Sequence, residues 1–197
     1  LWSGAEYDKR YDLLKVSEND FDKSVPVDEY GFYKYVFSKY AQNVDFITHL
    51  RLFGVYGKYE DFQIRFISET ICKILLNLPI IIKQNVFFDY LYINDFIKIL
   101  DYFIVNKPKH IFYNVGLGKS IDLISIAHKL LSLIGKDAEI IIENPGLNKE
   151  YTCNIDRLKS EIGDFSYTDF EESLKEMIVY YRGILPQLDK NLFLKNI

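Results

Sequence analysis

Apolar positions recur along the chain at two spacings, a helical one and an alternating one, and their succession predicts the elements. Tyr30, Tyr33, Phe37, Tyr40 and Ala41 follow the helical spacing. Asp28 stands ahead of them as an N-cap and Asn43 behind as a stop, so a helix is predicted over 29–42. The polar stretch 8–27 before it reads as loop. Residues 44–53 alternate and predict a strand, and Gly54 and Gly57 punctuate the loop that follows. An amphipathic helix is predicted over 62–76, halted by Asn77 and Pro79. Short strands follow over 79–82 and 86–93, then a helix over 94–105 capped by Asn94 or Asp95. A strand over 111–115, a Gly116-Leu117-Gly118 turn and a helix over 120–134 with Gly135 at its C-terminus come next. A strand over 138–142 and helices over 156–162 and 170–181 complete the pattern. Strands alternating with helices predict an α/β protein.

Composition narrows the picture. Of 197 residues, 49% are hydrophobic, enough for a packed core. The net charge of -4 is of mixed sign along the chain, which argues against a nucleic-acid surface. The longest apolar run, 74–82, is broken by Asn77 and Pro79 and is too short to cross a bilayer. Cys72 and Cys153 lie far apart in no metal spacing and read as reduced, buried thiols of a cytosolic protein. His49, His110 and His128 are scattered and suggest neither a zinc site nor a histidine-based triad. Gly116-Leu117-Gly118-Lys119 lacks the third glycine of a dinucleotide turn and the spacing of a P-loop, so it reads as a strand-to-helix turn. The chain opens on Leu1-Trp2-Ser3-Gly4-Ala5, without Met, which reads as the end of a core strand and leads us to expect a preceding segment.

The candidate chemistry lies near the start. Tyr30 and Lys34 are four apart, on one face of the first predicted helix. A free tyrosine titrates at about pH 10, and a neighbouring ammonium favours its phenolate, which can then act as a base. A second Tyr-x-x-x-Lys, Tyr35 to Lys39, follows, so the spacing alone has little specificity. Its surroundings add what it lacks. Ser3-Gly4-Ala5-Glu6-Tyr7 stands at a strand end, and Pro26-Val27-Asp28-Glu29-Tyr30-Gly31-Phe32-Tyr33-Lys34 follows a loop. Leu50-Arg51-Leu52-Phe53-Gly54-Val55-Tyr56-Gly57, Phe88-Asp89-Tyr90-Leu91-Tyr92-Ile93-Asn94-Asp95 and Tyr113-Asn114-Val115-Gly116-Leu117-Gly118 come later in the same order. Together these blocks resemble the extended short-chain dehydrogenase/reductase family of NAD-dependent nucleotide-sugar epimerases and dehydratases, from Leu1 to about Arg182. Gly31 after Tyr30 and Asp28 before it select Tyr30 over Tyr35.

The resemblance implies the carboxyl-terminal part of a Rossmann-like doubly wound sheet plus a smaller α/β substrate-binding lobe. It implies a remnant of the NAD-binding domain over 1–58, mostly substrate lobe over 59–185 with returns to the main sheet, and a tail over 186–197. Ser3, Tyr30 and Lys34 are the implied catalytic residues. Tyr30, Lys34, Leu52 and Phe53 are the implied contacts to NAD or NADP. Gly54, Phe88 and Asp89 are implied on the substrate side. Two positions depart from the family: Gly54 stands where it has Asn, and Phe88 where it has an Arg that holds the substrate pyrophosphate. Lys58, Lys83 and Arg65 are the cations available to replace that charge. Arg51 and Asp89 remain, either for the site or as a structural pair or loop anchor. Gly4 and Ala5 stand where the dehydratases commonly carry an acidic pair, which favours epimerase or reductase chemistry. The implied function is epimerisation, or a related dehydration or reduction, of a nucleotide-activated sugar through transient oxidation of a hydroxyl. These residues alone are expected to be inactive and to bind the cofactor weakly or not at all. A non-catalytic sugar-nucleotide-binding or scaffold homologue is the alternative. The implied setting is a cytoplasmic homodimer that binds a nucleotide sugar and engages neither nucleic acid nor membrane. Tyr33, Phe37 and Tyr40 suit either the family's helical dimer interface or a core.

Overall fold

The computed structural model describes residues 1–194; residues 195–197, the end of the expected tail, lie outside them. In chain order the elements are β1 (Trp2–Ser3), β2 (Leu13–Val16), α1 (Glu29–Ala41), β3 (His49–Leu52), β4 (Gly54–Tyr56) and α2 (Phe66–Leu75). There follow β5 (Ile80–Asn85), β6 (Phe87–Tyr92), α3 (Ile93–Val105), β7 (Phe112–Val115), β8 (Ser120–Asp122) and α4 (Leu123–Ile134). The last are β9 (Ile140–Leu147), β10 (Tyr151–Cys153), α5 (Asp156–Ile162) and α6 (Phe170–Ile184), then two 3-10 turns, Leu185–Gln187 and Lys190–Phe193. The fold is α/β with parallel strand pairing, as the alternation of elements implies.

The chain forms two compact units that interleave in sequence. Among the described residues the first comprises 1–55, 87–120 and 149–167, the second 56–86, 121–148 and 168–194. In the first unit, β1, β3 and β7 form a parallel sheet in that order, with Ser3 opposite Leu52 and Leu52 opposite Val115. A second sheet orders β2–β10–β6–β4, with β10 parallel to both of its neighbours. Leu50, Leu91, Ile99, Tyr113, Val115 and Leu158 make the centre of this unit's core. In the second unit β5 pairs in parallel with β9, and helices α2, α4 and α6 bury Ile71, Ile126 and Leu174.

Several boundaries differ from expectation, each for a local reason. The strand expected over 44–53 is confined to His49–Leu52, because residues 45–46 turn, with Ile47 N–H donating to the Val44 carbonyl. The stretch 8–27 is not all loop: Leu13–Val16 is a strand on β10, kinked at Lys15 (φ 47°) where the register shifts. That kink breaks the alternation that marks a strand in sequence. Helix α3 begins at Ile93, so neither Asn94 nor Asp95 caps it, and the N-cap position is Tyr92. The helix expected over 120–134 is split: β8 comes first, and Asp122 then caps α4 by accepting from the Ser125 N–H. Gly135 ends α4 in the left-handed conformation (φ 73°), as its C-terminal position requires. The core reading of the α1 aromatics fails. Helix α1 buries only Gly31, Ser38 and Ala41, and Tyr33, Phe37 and Tyr40 are exposed.

Candidate functional site

Ser3 ends β1, the edge strand of the β1–β3–β7 sheet, and the chain turns at once into a 3-10 helix, Gly4–Glu6. The Ser3 hydroxyl caps that turn by accepting from the Ala5 N–H at 3.1 Å. Helix α1 docks on the same turn. Asp28 caps α1 by accepting from the Gly31 N–H at 2.9 Å. A β-carbon on Gly31 would stand 2.7 Å from the Ala5 carbonyl oxygen, so only glycine lets the helix approach this closely. The Tyr30-Gly31 pair is thus a packing requirement that brings Tyr30 to the turn behind Ser3.

Lys34 follows one turn along α1. Its ammonium lies 4.0 Å from the centre of the Trp2 ring and 5.4 Å from that of Tyr30. The Trp2 indole N–H in turn donates to the Lys34 carbonyl at 3.1 Å, tying α1 to β1. Among the described residues no carboxylate forms an ion pair with Lys34. A half-buried ammonium over aromatic faces suits a neutral acceptor such as a ribose hydroxyl, so this part of the site fits the sugar of a dinucleotide. The turn that would grip its pyrophosphate is not among these 197 residues.

The remaining predicted residues fall into two groups. Leu52 lies beside Ser3 on β3, and Phe53 packs next to Gly4, where a β-carbon would come within 2.8 Å of its ring. Gly54 has no room for a side chain, since a β-carbon there would collide with the Asp89 carbonyl oxygen. Phe88 is half-buried among rings, 5.7 Å from Tyr90 and 6.0 Å from Tyr151. Asp89 is fully buried and accepts from the Leu117 and Gly118 N–H groups at 2.5 and 2.8 Å. Burial lifts its carboxyl to about 6, and those two amides oppose the shift. Its carboxylate therefore anchors the Gly116-Leu117-Gly118 turn.

Arg51 does not pair with Asp89. It is fully buried in an ion pair with Glu6, sandwiched between Phe21 (4.6 Å) and Phe112 (4.2 Å), and donates to the Tyr7 hydroxyl at 3.0 Å. Glu6 also accepts from Ser38 of α1. Burial raises the Glu6 carboxyl, and the Arg51 charge opposes that rise. This buried network joins the turn behind Ser3, helix α1 and strand β3. Sequence reading did not find it, because Glu6 and Arg51 show no relation until β1 pairs with β3. Cys72 and Cys153 are buried free thiols. Among the described residues no group of His, Cys, Asp and Glu is suited to a metal ion, and no helix is long and apolar enough to cross a membrane.

A family model described as the NAD dependent epimerase/dehydratase family matches residues 3–116, which span Ser3, Tyr30, Lys34, the Arg51 strand and the Asp89 anchor. The chain belongs to that family. Solved structures similar to this epimerase/dehydratase chain include a UDP-glucose 4-epimerase from Thermotoga maritima, with UDP-glucose. It is 19% identical with a TM-score of 0.77, over 93% of this chain and 62% of that one. A dTDP-glucose 4,6-dehydratase from Bacillus anthracis in complex with NAD is 19% identical with a TM-score of 0.77, over 96% and 63%. A UDP-glucuronic acid 4-epimerase from Bacillus cereus, in complex with UDP-glucuronic acid and NAD, is 21% identical with a TM-score of 0.76, over 93% and 60%. These likenesses establish the fold of the epimerase/dehydratase chain, which spans about three fifths of the length of each of these structures. No curated protein matches its sequence.

Proposed function

We propose that this chain supplies the acid–base half of an epimerase, or of a related dehydratase or reductase, that acts on a nucleotide-activated sugar. Tyr30 accepts the proton of the reacting sugar hydroxyl. Ser3 donates a hydrogen bond to the same oxygen as it becomes a carbonyl. Lys34 holds a ribose hydroxyl of the dinucleotide, with Leu52 and Phe53 lining that side. NAD, when bound, accepts the hydride lost by the sugar carbon. Tyr30 gives its proton back to the same oxygen when the carbon is reduced from its opposite face, which yields the epimer. Phe88 and the backbone of Gly54 face the substrate, Asp89 serving as the anchor behind them, and residues 59–185 are mostly the substrate lobe. The parent protein acts in the cytoplasm as a homodimer, for which the exposed aromatics Tyr33, Phe37 and Tyr40 offer a contact face.

The observation that carries this reading is the docking of α1 on the turn behind Ser3. Gly31 against the Ala5 carbonyl brings Tyr30 and Lys34 to the strand end where Ser3 stands. The activity requires a Gly-rich phosphate-binding turn from outside these residues, so they are expected to be inactive alone. The test is an assay of the full-length protein with NAD against a panel of UDP- and dTDP-sugars. Epimer, dehydrated or reduced product with a transient NADH absorbance is the expected result. Tight sugar and NAD binding without turnover would instead select a binding homologue. The aromatic packing of Phe88, where a phosphate-holding Arg is expected, is the observation that favours that second reading.

A further inference from the structure

We infer that Trp2 is a positioning residue for Lys34: the face of its indole holds the ammonium, and its indole N–H pins the helix that carries it. The inference rests on the role proposed for Lys34 above. Two contacts carry it. The Lys34 ammonium stands 4.0 Å from the centre of the Trp2 ring, and at the longer distance of 5.4 Å from those of Tyr30 and Tyr33. The Trp2 N–H donates to the Lys34 carbonyl at 3.1 Å. One side chain of β1 thus touches both the backbone and the charged end of Lys34. The indole is itself held by rings, 4.7 Å from Phe37 and 5.2 Å from His49. Burial keeps His49 low, at about 4, so near neutral pH it brings no second cation to that indole.

The chemistry of an ammonium gives this arrangement a consequence. The group has three N–H donors and no acceptor. A carboxylate would fix it by taking up donors and cancelling its charge. An indole face attracts it through the ring quadrupole and leaves the net charge in place, and tryptophan does this best of the aromatic side chains. Among the described residues no hydrogen bond engages the Lys34 ammonium, so its donors stay available for a ribose hydroxyl and its charge for the Tyr30 oxygen. The same strand, β1, ends at Ser3. Gly31 against Ala5 and Lys34 against Trp2 lie three apart along α1, on one face of the helix. The backbone of β1 and the turn after it therefore set the places of the hydroxyl, the phenol and the ammonium together.

The test is made on the full-length protein, reading NAD affinity and thermal midpoint. Trp2 is replaced, at that position alone, by tryptophan analogues of increasing fluorine content. Fluorine drains negative potential from the ring face while keeping its shape and its N–H. NAD affinity is expected to fall stepwise along the series, by about 2–30-fold in total, the range that loss of a cation–π contact covers, with the midpoint nearly unchanged. Trp2→Leu is expected to weaken NAD binding at least as far, and Trp2→Phe, which keeps a ring face, to weaken it less. In a Lys34→Met background none of these changes is expected to cost anything further. Equal NAD affinity across the fluorinated series overturns the inference, as does an equal loss with and without Lys34. Unaltered NAD affinity in Lys34→Met overturns the role of Lys34 first, and the inference with it.

Discussion

The buried Glu6–Arg51 pair offers the sharpest test of how the site is built. Both side chains are wholly removed from solvent, and Arg51 lies between the rings of Phe21 and Phe112. Replacing Arg51 by Met leaves the buried Glu6 carboxylate, which accepts from Ser38, without its counter-charge. Replacing Glu6 by Gln leaves a buried guanidinium with only the Tyr7 hydroxyl and the ring faces. Each single change is expected to cost about 3–5 kcal/mol, as for other buried pairs deprived of one partner. For a chain of 197 residues this corresponds to a fall in thermal midpoint of roughly 6–20 °C. The double variant, Glu6→Gln with Arg51→Met, removes both charges together. It is expected to be at least about 2 kcal/mol more stable than the sum of the single losses predicts. Urea unfolding of all four proteins, followed by circular dichroism, measures the coupling. Single losses below about 1 kcal/mol, or strict additivity, would refute the claim that this pair clamps the turn behind Ser3 to β3.

Two further outcomes follow from the same packing. Burial, aided by the Arg51 charge, holds His49 down at about 4, whereas an unfolded histidine titrates at about 6.5. The unfolded chain therefore binds a proton first as pH falls, and stability present above pH 6.5 is lost toward pH 4, by on the order of 3 kcal/mol. His49→Phe should remove that part of the slope when urea midpoints are compared across this range, and an unaltered slope would count against it. Gly54→Ala should destabilise by about 1–3 kcal/mol through collision with the Asp89 carbonyl, and an unchanged thermal midpoint would contradict the close packing of β4 on β6.

Much of this arrangement is legible in the sequence because its signals are local. Asp28 caps α1 and Gly31 follows Tyr30, so the position of Tyr30 and Lys34 at the helix start can be read from neighbouring residues. The α/β alternation and the Gly116-Leu117-Gly118 turn are legible for the same reason. What escapes is set by contacts distant in sequence. Leu13–Val16 and Tyr151–Cys153 are short strands that gain meaning only by pairing across the chain, and the kink at Lys15 hides the alternation of the first. The partners of Asp89 and Arg51 are likewise fixed by strand pairing: Asp89 reaches the amides of 117 and 118, and Arg51 reaches Glu6. The place of the Tyr151 hydroxyl against Gly4 depends on the empty space at that position, which has no sequence signature of its own.

The central claim is that Tyr30 is the proton acceptor beside Ser3. Its most direct test is Tyr30→Phe in the full-length protein, with turnover of a nucleotide sugar and NAD affinity measured on the same preparation. The account predicts that turnover is abolished while NAD binding is nearly unchanged, because the lost hydroxyl serves the reacting proton and the Lys34 ammonium remains. Retained turnover would contradict it.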